Sequence, residues 1–102
     1  MSRRRVYSEE TLAIMSRYFE ALDRCLELKL LKNMSWYCET FKIDKRHLYA
    51  QRADMSKGYF EVGWMRSLID ACSVSPIWLM TGVGGMFSSF RVYNRESKNE
   101  RL

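Results

Sequence analysis

With 102 residues, 47% of them hydrophobic and 14% aromatic, the chain has room for one domain and enough apolar surface to give it a core. One proline and five glycines argue against a loop-rich or all-β design, and a charged fraction of 28% is that of a folded body rather than a disordered one. The formal charge of +5 is uneven: residues 1–5 and 42–57 each carry a surplus of three positive charges, residues 91–102 a surplus of two, and the remainder is net negative. Such clustering suits a polyanion, whose condensed counterions Lys and Arg displace; a solvated basic face explains it equally well.

Cys25, Cys38 and Cys72 are odd in number, far apart and set in apolar surroundings, so they read as small buried hydrophobes rather than disulfide partners or metal ligands. No apolar run follows Arg3-Arg4-Arg5, so neither a secretory signal nor a membrane span is expected, and a reduced cytoplasmic setting is.

Ser8 can cap a first helix, with Glu9 and Glu10 at its positive end. Leu12, Met15, Phe19, Leu22 and Leu26 then recur at helical spacing, widened by Ile14, Tyr18 and Cys25, opposite a polar face of Arg17, Glu20, Asp23, Arg24 and Glu27. This predicts a long amphipathic helix over residues 8–30. Asn33 or Ser35 caps a short second helix with Met34, Tyr37, Cys38 and Phe41 on its apolar side. Asp44 is a good cap for a third over residues 45–53, and Ile43 before it can pack on Leu48 as a hydrophobic staple. That third helix has one clear apolar anchor, Leu48, among Lys45, Arg46, His47, Tyr49, Gln51 and Arg52. A helix so poor in apolar side chains is either a peripheral polar helix or one that presents hydrogen-bonding groups to a partner such as the major groove.

Residues 54–59 read as a loop, and the apolar pattern resumes from Phe60 with Glu61, Met65, Leu68, Ile69 and Cys72 on one face and Trp64 beside them. Ser75 as cap and Pro76 at the first helical position open a fifth helix that Gly82 stops. Residues 83–87 form a turn, and the charged tail beyond is expected to be mobile, with Phe90-Arg91-Val92-Tyr93 capable of pairing as a short strand. The expected fold class is therefore all-α: a basic arm at residues 1–7, a compact five-helix domain at 8–87 and a tail at 88–102.

The stretch Val74-Ser75-Pro76-Ile77-Trp78-Leu79-Met80-Thr81-Gly82-Val83-Gly84-Gly85-Met86-Phe87 resembles the close of the DNA-binding domain in the lambda-repressor-like (Xre) helix-turn-helix family. It is similar in particular to phage-type repressors of the Bacteroides group. Phe19-Glu20-Ala21-Leu22-Asp23 and Phe41-Lys42-Ile43-Asp44-Lys45-Arg46, with Leu48-Tyr49, extend the resemblance across residues 8–87. It implies a helix-turn-helix at residues 33–52, with the second helix across the DNA backbone and the third in the major groove. By position it implies Lys45, Arg46, His47 and Tyr49 as readers of bases and Arg52 as a phosphate contact. Ser35 and Trp36 fall near the start of the second helix, and Arg3, Arg4 and Arg5 are placed to act as an arm in a groove. Met80, Met86 and Phe87 are the candidate contacts of a homodimer.

Catalysis is not expected. His47 is the one histidine, no paired-His or CxxC spacing offers a metal site, and Gly82-Val83-Gly84-Gly85 lacks the lysine of a phosphate-binding loop. Neither a cofactor nor a metal is implied. The expected partner is double-stranded DNA and the expected role transcriptional regulation, repressor-like, as a symmetric dimer on a two-part site. A protein-interaction module that keeps the helices without touching DNA is the alternative. Members of the family often carry a Gln where Met34-Ser35-Trp36 stand and a small residue where Lys42 stands, and those two positions favour it. RNA binding ranks third, for want of an aromatic stacking platform.

Overall fold

The chain folds into five helices, α1 (Glu9–Glu27), α2 (Met34–Phe41), α3 (Lys45–Ala53), α4 (Val62–Cys72) and α5 (Pro76–Thr81), in a computed structural model that describes residues 6–88. The fold is all-α over these residues, with one isolated antiparallel bridge between Val74 and Phe87. Arg3, Arg4, Arg5 and the Phe90–Tyr93 segment lie outside the described residues. No described helix is long and apolar enough to cross a membrane.

Four helices begin where a short polar side chain accepts from an amide that the helix itself leaves unpaired. Ser8 Oγ accepts from Thr11 N–H at 3.1 Å, Asn33 Oδ1 from Trp36 N–H at 2.7 Å, Asp44 Oδ1 from Arg46 and His47 N–H at 2.9 and 3.2 Å, and Ser75 Oγ from Trp78 N–H at 3.1 Å. These are the expected caps, with Asn33 rather than Ser35 serving α2. α4 is the exception. It starts at Val62 behind Glu61, which makes no side-chain cap, so Glu61 is exposed at the helix entrance and not on the apolar face with Met65.

The helix ends are set by left-handed residues. α1 stops at Glu27, short of the expected residue 30, because Lys29 adopts φ 63°. The amides of Lys29 and Leu30 then turn back to the carbonyls of Leu26 and Cys25 at 3.1 and 2.9 Å, which satisfies carbonyls the helix had left open. Lys42 after α2 and Ser73 after α4 do the same at φ 58° and 67°, and Gly82 closes α5 at φ 78°.

α1 is the spine of the core and packs against both α4 and α5. It buries Met15, Tyr18, Phe19, Ala21, Leu22 and Cys25, while Leu12, expected on the same stripe, is exposed in the first turn of α1. Cys25, Cys38 and Cys72 are all buried, as their surroundings suggested. Arg17, read from periodicity as part of a solvated face, instead donates from Nε to Leu79 O at 2.8 Å and from Nη2 to Met80 O at 3.0 Å. It thereby caps the negative C-terminal end of α5. The turn after α5 returns through Ser75 N–H to Met86 O (2.8 Å) and Ser88 N–H to Ser73 O (2.7 Å), which lays Phe87 against the core.

A buried chain of hydroxyls ties α1, α2 and α4 together. Ser67 Oγ donates to Trp64 O at 2.6 Å, so its single proton is spent and it must accept from Tyr37 Oη, 2.6 Å away. Tyr37 in turn accepts from Tyr18 Oη at 2.7 Å. Every hydroxyl proton in the chain has a destination, which is the condition for a buried polar network to add stability rather than remove it. Burial pushes the Tyr37 phenol up to about 12 and raises that of Tyr18 further, the Tyr37 hydroxyl adding to the effect on Tyr18.

Candidate nucleic-acid interface

α2 and α3 are joined by three residues, and each has a distinct part. Lys42 reverses the chain in the left-handed conformation and donates its N–H to Cys38 O. Ile43 donates its amide to the same carbonyl at 2.9 Å and buries its side chain in the core cluster that also holds Leu48. Asp44 then caps α3, and the amides of His47 and Arg46 hold its carboxyl below the usual range despite partial desolvation.

α3 presents only two buried side chains, Leu48 and Gln51. Leu48 was the expected anchor. Gln51 was grouped with the outward-facing polar residues and is instead fully buried. Its Nε2 donates to Met55 O at 2.9 Å and, more weakly, toward Met15 Sδ at 3.7 Å, while Oε1 accepts from Tyr59 N–H at 2.9 Å. One side chain thus satisfies both ends of the 54–59 loop and hangs α3 on it. Leucine and glutamine at positions three apart share a helix face, which is the sequence signal for this placement.

The remaining candidate residues divide into those the fold has engaged and those it has left outward. Arg52 lies over the Phe19 ring, its Cζ 5.5 Å from the centroid, and pairs through Nη2 with Asp23 of α1. The residue expected as a phosphate contact thus also holds α3 to α1. The His47 ring stacks flat on Tyr59, centroids 4.0 Å apart and planes within 7°, with Nδ1 3.8 Å from Asp44. Lys45 Nζ donates to Ser35 Oγ at 2.8 Å, so the two expected contact residues are brought together where α2 and α3 meet. Trp36 faces outward at 36% exposure, its ring edge-on to Phe41 at 6.3 Å.

Arg46 and Tyr49 are the open positions. The Arg46 side chain is 91% exposed, its nearest acid Asp44 at 3.9 Å, and Tyr49 is 44% exposed. Lys32 and Lys42 are exposed beside the same helices; of the acids here, Asp44 serves the α3 amides and Glu39 is exposed on α2. Lys32, Lys42, Lys45 and Arg46 outnumber Glu39 and Asp44 on this surface, an excess of positive charge that attracts polyanions over several ångströms.

Of the candidate dimer residues, Met80 is exposed, and Ile77 and Val83 are exposed near it in sequence. Met86 and Phe87 are half-buried against the core, so their apolar surface is largely used within the chain. No family model matches this chain, and no curated protein or solved structure matches it either.

Proposed function

We propose that the chain is a sequence-specific double-stranded DNA-binding protein, a repressor-like transcriptional regulator that inserts α3 into the major groove and lays α2 across the backbone. The observation that carries this reading is the asymmetry of α3. One side is fastened by Leu48, Gln51, the Asp44 cap and the Arg52–Asp23 pair, while Arg46 and Tyr49 stand outward. A groove-reading helix needs that combination, because hydrogen-bonding side chains discriminate bases only when their backbone is held still. Lys42 and Lys45 flank the face and are placed for phosphates, whose contacts set register without reading sequence. The likeness of residues 74–87 to the lambda-repressor-like family supports the same reading.

One short helix reads few base pairs, so a homodimer on a two-fold symmetric site is part of the proposal. Met80, with Ile77 and Val83, supplies exposed apolar surface for it. The same surface is the observation that favours the second reading, a protein-interaction module.

The test is duplex binding across a salt series. Affinity should fall log-linearly with salt, with a slope reporting the number of phosphates neutralised. Arg46→Glu should abolish binding with helicity unchanged. A slope near zero, or no binding at low salt, removes the proposal in favour of the interaction module. In that case Ile77→Asp should disrupt partner capture while Arg46→Glu leaves it intact.

A further inference from the structure

The fold narrows which side chains of α3 can reach a base. At 100° per residue, Leu48 and Gln51 mark the inward direction, and Arg46, Tyr49, Ala50 and Ala53 lie on the opposite side at i, i+3, i+4 and i+7, with Ala50 half-buried and the other three exposed. Arg46 is the one cation on that line. Lys45 sits to its flank, held by Ser35. Arg52 is committed to Asp23 and Phe19, and His47 lies flat on Tyr59. Beyond Arg46 the outward line is a tyrosine ring and two methyl groups. Ala50 and Ala53 carry no polar side-chain atom and no bulk, so the backbone can come close to the groove floor, and what they offer a base edge is apolar contact.

These two chemistries have distinct complements in the major groove. A guanidinium matches the paired acceptors O6 and N7 of guanine, while a methyl or a ring edge matches the C5-methyl of thymine. Arg46 and Ala50 are separated by about 6 Å along the helix, which corresponds to about two base steps. Resting on the reading of α3 as a groove-binding helix, we infer that each half-site is recognised as a guanine read by Arg46 with a thymine about two base steps away against Tyr49 and Ala50. Lys45 is a positioning residue on phosphate and contributes no base preference.

The test begins with selection of bound duplexes from a random pool by the full chain, followed by atom-level substitution in the selected site. The consensus should contain guanine with thymine within two steps in each half. Replacing that guanine by 7-deazaguanine, which lacks N7, should weaken the wild-type protein about tenfold and Arg46→Ala less than twofold at low salt. Replacing the thymine by deoxyuridine, which lacks only the methyl, should weaken binding several-fold in the wild type. Lys45→Ala should lower affinity equally for all sequences and reduce the salt slope by about one. Circular dichroism of each variant confirms that α3 is intact. A consensus without guanine, a 7-deazaguanine penalty that persists in Arg46→Ala, or an unchanged affinity for the deoxyuridine site overturns this assignment while DNA binding stands. Absence of salt-dependent binding to any duplex overturns both.

Discussion

α1 and α3 are held to the same core by different means. α1 is 19 residues long and buries six side chains, five of them from Met15, Tyr18, Phe19, Leu22 and Cys25, so its position follows from apolar area. α3 has nine residues and buries a leucine and a glutamine. Burial of one leucine stabilises by only about 1.5–3 kcal/mol, too little to hold a short helix against its own fraying. The rest comes from polar groups with fixed geometry: the Asp44 cap, the three bonds of Gln51 and the Arg52–Asp23 pair. A helix fastened in this way keeps most of its circumference free, which is what an interface requires and a core helix cannot offer.

Loss of area in α1 should be the most damaging change. Leu22→Ala should cost about 3–5 kcal/mol in urea denaturation, with the whole domain unfolding in one transition. Gln51→Ala should cost less, about 1–3 kcal/mol, because the half-buried Met55 carbonyl and Tyr59 amide lose their bonds. Its effect should be local, with amide exchange rising in α3 and at Tyr59 before it rises in α1. Full restoration by Gln51→Met would show that packing, not hydrogen bonding, holds α3, and the contrast between the two helices would collapse.

The hydroxyl chain joining α1, α2 and α4 supplies a pH test of comparable size. Tyr37 titrates at about 12 in the folded chain and near 10 when unfolded, so the folded state holds the proton more tightly. Its contribution, roughly 2–3 kcal/mol, is therefore complete below pH 10 and is lost as pH rises toward 12. Denaturation followed across that window should show stability falling, and Tyr18→Phe combined with Tyr37→Phe should flatten the fall. An unchanged alkaline limb in the double variant would remove the network from the account of stability.

Smaller effects probe the α2–α3 turn. Lys42 is a lysine in left-handed backbone, a conformation that costs most residues something and glycine almost nothing. Lys42→Gly should raise stability by about 0.5–1 kcal/mol and, on the DNA-binding reading proposed above, lower the salt slope of duplex binding by about one, so structure and interface would move in opposite directions. The smallest change is Asp44→Asn, which keeps a cap acceptor and removes the charge. Asp44 is held below the usual carboxylate range, so its advantage exists above the unfolded value and disappears as pH falls through the folded one. The variant should lose part of the acid dependence of stability and leave neutral-pH behaviour nearly intact.

Local sequence was sufficient for the all-α class, for the caps at Ser8, Asp44 and Ser75, for narrowing the α2 cap to Asn33 or Ser35, for the stop at Gly82 and for the burial of Leu48 and Ile43. Each of these depends on side chains within a few residues of one another, whose geometry is set by the backbone between them. Three placements could not be read that way. Arg17 finds its partners 62 and 63 residues away, Arg52 reaches Asp23 across 29, and Gln51 reaches Met15 across 36 as well as the nearer Tyr59. The three-residue spacing from Leu48 permits Gln51 to turn inward, but with a single apolar residue marking the stripe, periodicity equally permits the residues on its other flank to do so. What chose was the packing of α1 and of the 54–59 loop against α3, which put a carboxylate over Arg52 and an amide and a carbonyl around Gln51. The same packing left Arg46 and Tyr49 outward. The sequence determined that α3 would be a basic, lightly anchored helix, and only the tertiary structure decided which of its polar groups hold it and which remain to bind.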